Sequence, residues 1–409
     1  LASNFYRWPT SFQKPESANK EYLMSYAQHR KIIDADSHVI ELDDFLIKAA
    51  READIELLQK MDDQTELPID RQKYHDGVEL FERRKHDATV KQECEDIIVS
   101  NNLGGWSRIG AFDPQERSRA LDLFGYEKQW VLPTFSFHQV AHVGDMDALY
   151  AGARTLNKAM ADFCAHDDRM LAIGYLPYTL GPERALELMK QGFADGCYTF
   201  MVDTNEPNDN KISFAHPDFD PVWAGFVEQR VPFGIHVAAN GHYEAVPKSF
   251  KRNGKNIIAL GGDAPAGELG LITIKNSAEL FLSALIFDGV FDRHPSLRGM
   301  CMEHGAFWVP SWLKSLDFTY GAYLPRREFI EKPSDTARRC LKFSPFAGEP
   351  VGWIIENTSP DMICYASDYP HPEGGSDPIS KFEATMEGCD EVTMSKFYHG
   401  NMEALMSLT

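Results

Sequence analysis

Lys31-Ile-Ile-Asp-Ala-Asp36, continued by Ser37-His-Val-Ile-Glu41, is a short apolar run that ends in acids and a histidine. A run of this length closed by polar residues reads as a buried strand, with the chain turning out of its sheet from Ser37 onward. The first strand therefore carries ionisable side chains at its carboxyl end. Asp36 and His38 stand two apart and face the same side of an extended chain. Glu41 lies beyond the strand and can fold back from the loop.

Seven more short apolar runs follow, at 129–133, 171–176, 197–202, 232–237, 298–303, 339–343 and 362–367. Helical patterns of crossover length separate them, at 148–166, 182–193, 221–229, 277–291 and 348–357. Parallel strands need such crossovers, and eight strand-helix units close most simply as a (β/α)₈ barrel. The fold expected is α/β, a distorted (β/α)₈ TIM barrel with a helical insertion after strand one. Residues 1–30 are read as an N-terminal arm and 31–409 as one barrel domain with insertions at about 51–105 and 238–273. The first insertion is strongly charged, with helical runs around 45–60 and 77–99. The second is rich in Gly and Asn, is too long for a routine loop, and is expected to cover the barrel mouth.

With 43% hydrophobic residues among 409, the chain can bury a large core, which excludes global disorder. Against 61 acidic residues stand only 41 Lys and Arg, a formal charge of −20 that repels phosphate backbones and anionic lipid, so no nucleic-acid or membrane partner is expected. The most apolar stretches, such as 280–290, reach about a dozen residues where spanning a bilayer takes roughly 20. Residues 1–31 lack the apolar core of a signal peptide, and a cytoplasmic protein is expected. The seven cysteines have no Cys-x-x-Cys pair and read as reduced core residues.

A barrel brings its strand ends to one rim, where catalytic groups sit. That rim collects Asp34, Asp36, His38 and Glu41 after strand one, His236 at strand five, Glu303 and His304 at strand six, and Asp368 and His371 at strand eight. Imidazole and carboxylate converging on one point make a divalent metal site. Singly, each has a duller reading: His236 as a hydrogen-bonded core residue, Asp34 as a helix cap or a partner of a backbone amide, Glu41 as a first-turn helix acid, Glu303 as a carboxylate buried against an arginine, His371 as part of a stiff turn. His29, His75, His86, His166, His294 and His399 read as solvated, and His138, His142, His216 and His242 as loop residues without rank.

The run 32–41, the segment Leu285-Ile-Phe-Asp-Gly-Val-Phe-Asp-Arg-His-Pro-Ser-Leu-Arg298, then Met302-Glu-His-Gly-Ala-Phe-Trp-Val-Pro310, Tyr365-Ala-Ser-Asp-Tyr-Pro-His371 and the ending Phe397-Tyr-His-Gly-Asn-Met-Glu-Ala-Leu405 occur in that order. Together they resemble the amidohydrolase-related family, which includes the aminocarboxymuconate semialdehyde decarboxylase group. The resemblance covers about residues 31–408 and leaves out residues 1–30 and much of 51–105. It implies a metal bound by a His-x-His after strand one, a His of strand five and an Asp of strand eight. Carried over, these are His38, His236 and Asp368, with Asp36 where the first His of the pair stands. A strand-six His that polarises substrate or orients water falls on His304, so Asp368 and His304 are the implied catalytic residues. His304 and Glu41 complete the candidate metal set. The departure at Asp36 widens the candidate ions from Zn²⁺ to Mn²⁺ and Fe²⁺. The bridging lysine of two-metal relatives has no counterpart in Cys197-Tyr-Thr-Phe-Met-Val-Asp203, so a second ion would draw on Glu41, Glu303 or His371.

The first expectation is a hydrolase or nonoxidative decarboxylase that acts on a small carboxylated or aromatic compound through metal-bound water or a metal-anchored substrate. The alternative is a dinuclear Fe/Mn oxygenase component, a hydroxylase, whose electrons would come from a separate reductase because no flavin, dinucleotide or iron-sulfur motif is visible. A noncatalytic subunit docking through Phe5-Tyr-Arg-Trp8 ranks third. The substrate is expected to be a small molecule and the protein a homo- or hetero-oligomer. Trp106, Phe307, Trp308 and Tyr369 are aromatic residues near the expected mouth.

Overall fold

The computed structural model describes residues 25–59, 68–141, 143–204, 212–237, 246–250, 267–322 and 328–407. Among them run seven strands: β1 (Ile33–Asp34), β2 (Lys128–Val131), β3 (Met170–Leu176), β4 (Thr199–Val202), β5 (Phe233–Ile235), β6 (Gly299–Cys301) and β7 (Leu341–Phe343). They pair in chain order, every pair parallel. The run 362–367 is no regular strand but closes the curled sheet on both sides. Cys364 N–H donates to Phe343 O at 2.9 Å and Phe343 N–H to Met362 O at 2.8 Å, while Ala35 N–H donates to Tyr365 O at 3.1 Å and Asp368 N–H to Asp36 O at 2.9 Å. The result is a distorted (β/α)₈ barrel.

Helices cover the outside, so both faces of the sheet are buried and the strands read as nearly unbroken apolar runs. Phe200 of β4 packs outward against Phe193 and Phe226. Two glycines make room for it: a Cβ at Gly174 would stand 2.7 Å and one at Gly192 2.6 Å from its ring. The crossover helix Met146–Cys164 begins at Asp145, whose carboxylate accepts the N–H groups of Asp147 and Ala148 at 2.9 and 2.8 Å. Most element boundaries shift from the sequence reading, and three departures bear on the core. Arg339 and Cys340 end the helix Pro333–Cys340 rather than starting β7. The apolar stretch 277–291 is two helices, Asn276–Phe287 and Val290–Arg293, parted by Gly289 at φ 80°. Residues 25–30 of the expected arm belong to the barrel's underside, with Tyr26 and Ala27 buried and Tyr26 Oη donating to Asp377 Oδ1 at 2.8 Å.

Leu269–Phe287, 19 residues of hydropathy 1.4, is apolar and long enough to cross a membrane by length and composition, which exceeds the dozen residues expected. The fold breaks it at Ile274–Lys275 into the helices Gly267–Thr273 and Asn276–Phe287. Phe281, Leu282, Leu285 and Ile286 of the second are buried in the core.

In the first insertion, the helices Pro68–His86 and Ala88–Val99 dock on the helix Pro114–Phe124. Arg84, fully buried, donates from Nε and Nη2 to the two Glu116 carboxylate oxygens at 2.8 and 2.7 Å, and from Nη1 to Ser107 O at 2.7 Å. Removing one member of a buried, hydrogen-bonded pair strands the other charge, a loss of about 3–5 kcal/mol. Arg84→Ala is expected to show that loss in urea unfolding; a change within roughly 0.5 kcal/mol, the scale of an ordinary surface substitution, would contradict it.

Candidate metal centre

Three strand ends and the eighth segment deliver the site. Asp36 and His38 lie just past β1, His236 directly follows β5, Glu303 lies two residues past β6, and Asp368 and His371 follow the eighth segment. Asp36 Oδ1 is 3.3 Å from His38 Nε2 and 3.6 Å from His236 Nε2, and His38 Nε2 is 3.5 Å from Asp368 Oδ1. All four residues are buried, the least so being Asp368 at 9% exposure.

Backbone carbonyls set the imidazoles. His38 Nδ1 bonds Pro133 O at 3.1 Å and His236 Nδ1 bonds Val237 O at 2.9 Å. A carbonyl only accepts, so each Nδ1 carries the hydrogen and each Nε2 faces the cluster, the arrangement of metal-ligating histidines. Among the described residues, the buried atoms Asp36 Oδ1, His38 Nε2 and His236 Nε2 have no hydrogen-bond partner beyond the cluster itself. Leaving a buried polar atom unmatched costs about 1–3 kcal/mol, and these three lie within 4.8 Å of one another. Two nitrogens and a carboxylate oxygen in that array fit a divalent ion.

The electrostatics agree with a site that needs a cation. Burial resists ionisation of Asp36, yet His236 and then His38 hold its carboxyl well below the usual range. Burial, reinforced by His371, pushes His38 down to about 4 and leaves a neutral imidazole at pH 7. Against the same burial, Asp36 and then Glu303, whose Oε2 is 3.1 Å from His236 Nε2, raise His236 to about 9.

Glu303 and Asp368 have φ of 55° and 54°, the left-handed region that side chains other than glycine seldom adopt. Such backbone persists where the surroundings over-determine it, and it gathers at functional sites. Asp368 is shared by two further groupings. His38, Asp368 and His371 bring ligand atoms within 4.8 Å, as do Glu303, Asp368 and Glu373. His371 lies flat against His38 with ring centroids 4.0 Å apart, its Nδ1 3.1 Å from Asp368 Oδ1 and its Nε2 2.9 Å from Thr134 Oγ1.

Two candidates are held by other partners. Glu41 does not reach the cluster: its carboxylate accepts from Thr134 N–H and Phe135 N–H, both at 2.8 Å, and from Ser136 Oγ. It thereby holds the loop after β2 whose Pro133 carbonyl and Thr134 hydroxyl orient His38 and His371. His304 points away: its Nδ1 bonds Met302 O at 2.8 Å and its Nε2 lies 3.5 Å from Ser277 Oγ. The left-handed turn at Glu303 sends that carboxylate to the rim in place of the imidazole. Asp34 is structural, accepting Ser367 N–H at 2.8 Å, Ser367 Oγ at 2.5 Å and Gln129 Nε2 at 2.8 Å. Burial pushes it up to about 7 despite those bonds.

Among the histidines read as solvated, His399 is buried, with Nε2 2.8 Å from Glu127 Oε2. His138 is half-buried and His216 exposed, while His142 and His242 lie outside the described residues, as does Phe5-Tyr-Arg-Trp8. Of the mouth aromatics, Trp106 packs on Phe135, Trp308 on Trp312 and Phe343, and Tyr369 on Phe124, while Phe307 is exposed beside Trp353. Sequence reasoning missed Glu373, two residues past His371, and Thr134, which follows the second strand run as His236 follows β5.

A family model described as amidohydrolase matches residues 33–407. No curated protein matches the sequence at a significant level. An amidohydrolase from Mycobacterium avium subsp. paratuberculosis superposes with a TM-score of 0.70 at 21% identity over 92% of this chain and 99% of its own. A 5-carboxyvanillate decarboxylase from Novosphingobium aromaticivorans, complexed with manganese and 4-hydroxy-3-methoxy-5-nitrobenzoic acid, gives 0.62 at 18% identity over 96% of this chain and all of its own. A dihydroxybenzoic acid decarboxylase from a Polaromonas species, with bound manganese and 2-nitroresorcinol, gives 0.60 at 17% identity over 93% and 97% of the two chains.

Proposed function

The chain belongs to the amidohydrolase family, and from that membership we propose that it is a metal-dependent nonoxidative decarboxylase of small hydroxylated aromatic carboxylates. One observation carries the reading. Asp368 adjoins both His38 and His371, so a carboxylate at the cation seat also opens on the buried line His371–Thr134. The decarboxylases of similar fold that hold manganese with 4-hydroxy-3-methoxy-5-nitrobenzoic acid or 2-nitroresorcinol support the substrate class.

Asp36, His38, His236 and Asp368 would hold the ion. When bound, it supplies positive charge that anchors substrate oxygens and draws electron density from the ring. In its protonated form Asp368 delivers a proton to the ring carbon: the bond to the carboxylate breaks, its electron pair stays on the ring and forms the new C–H bond, and carbon dioxide leaves. His371, in contact with Asp368 and with Thr134, carries the replacement proton. Burial keeps bulk water from the ring carbon.

Manganese-loaded protein given 2,6-dihydroxybenzoate or 5-carboxyvanillate in D₂O is expected to release carbon dioxide and place one deuterium at the vacated carbon. Incorporation of oxygen from H₂¹⁸O into a cleaved product would instead establish a hydrolase. A second reading is the dinuclear oxygenase component, in which Glu303, Asp368 and Glu373 beside the histidines would be the candidate ligands of a second ion. Two metal equivalents per chain, with turnover that requires both oxygen and an added reductant, would support it.

A further inference from the structure

Arg117 is fully buried in the helix Pro114–Phe124, beneath the rim. Its Nε donates to Gly110 O at 2.6 Å, its Nη1 to Gln129 Oε1 at 3.0 Å, and its Nη2 to the backbone carbonyl of His38. Nη1 also lies 3.5 Å from Ser37 Oγ, and the guanidinium carbon stands 5.0 Å from the centre of the Tyr369 ring. Tyr369 O in turn accepts His38 N–H at 2.6 Å, and the Tyr369 hydroxyl donates to Ile109 O. Gln129 passes the contact on, donating to Asp34. One planar group thus ties together the end of β1, β2, the eighth segment and the 109–110 loop, and two of those segments carry Asp36, His38, Asp368 and His371.

Among the described residues, each hydrogen-bond acceptor of Arg117 is a carbonyl, an amide or a hydroxyl. A buried cation without a direct carboxylate among the described residues carries a desolvation penalty of several kcal/mol, so burial alone does not account for an arginine at this spot. What an apolar residue lacks is the rigid fork that fixes three acceptors from separate segments at set angles. The backbone is shaped for that fork. Gly110 has φ 81°, and a Cβ there would stand 2.6 Å from Arg117 Cα, so only glycine lets its carbonyl meet Arg117 Nε.

We propose that Arg117 is a positioning residue for the metal centre, holding the His38 backbone so that His38 and Asp36 keep the spacing a divalent ion requires. This rests on the metal-dependent reading above. The sign of the effect separates it from a charge effect, because removing a nearby cation would by Coulomb's law tighten binding of a divalent ion. Loss of positioning weakens it, on the scale of about 10–100-fold seen when a group that orients a ligand is lost.

The test is manganese binding by calorimetry, with the absorption spectrum of the cobalt-substituted protein as a report on ligand geometry. Wild type, Arg117→Met, Arg117→Lys and Gly110→Ala are compared after circular dichroism and melting show which are folded. Folded Arg117→Met and Arg117→Lys are both expected to bind manganese about 10–100-fold more weakly, with an altered cobalt spectrum. Lysine keeps the charge, but its donors radiate from one nitrogen and lack the planar fork that meets acceptors on three separate segments. Tighter or unchanged binding in Arg117→Met overturns the proposal. If that variant does not fold, wild-type binding and spectrum in Arg117→Lys, or in Gly110→Ala should lysine also fail to fold, overturn it equally. Wild-type protein that binds no divalent ion would overturn the metal-dependent reading itself, a result distinct from variants that bind as wild type does.

Discussion

Asp368→Asn is expected to fold normally and to lose about 10²–10⁴-fold in turnover, the range that a positioned proton carrier contributes. The replacement is nearly isosteric, and asparagine is among the residues that tolerate the left-handed conformation Asp368 adopts at φ 54°. An amide keeps an oxygen toward His38 but has no acidic proton to pass to a substrate carbon. It also breaks the carboxylate-imidazole contact with His371, 3.1 Å away, through which that proton would be replaced. Turnover should therefore fall even at saturating metal. Near-wild-type turnover in a folded, metal-loaded variant would remove Asp368 from the mechanism and move the proton step elsewhere.

His236→Ala should empty the site. Its Nε2 is a buried donor atom turned to the cluster, and its ring is fixed by the bond from Nδ1 to Val237 O. Truncation leaves water to complete the coordination, and the loss should exceed the roughly 10–100-fold that follows removal of an orienting partner. Metal analysis after dialysis against a chelator is expected to find about one equivalent in wild type and well below that in the variant. Equal metal content in both would make His236 a hydrogen-bonded core residue, the duller reading of a histidine in an apolar run.

The pattern of apolar runs alternating with helical periods was enough to give the barrel, because buried parallel strands and their crossover helices are written locally in hydrophobicity and length. It also placed Asp36, His38, His236, Glu303, Asp368 and His371 at one rim, since a barrel gathers its strand ends whatever their separation in the chain. Where each side chain points beyond the last paired residue is a different matter, set by backbone angles that distant contacts impose. The left-handed turns at Glu303 and Asp368 bring those carboxylates inward, and His304 turns toward Ser277. Glu41 goes to the amides of Thr134 and Phe135, because a buried carboxylate settles where donors converge, and those donors lie 93 and 94 positions along the chain. The eighth segment reads as a strand in its apolarity, yet it closes the barrel through single bridges. Arg117 sits in an amphipathic helix like any surface arginine in the sequence. Only the packing of β1, β2 and the eighth segment around its guanidinium makes it a buried clamp, for hydrogen-bond partners 79 and 12 residues away leave no mark in local pattern.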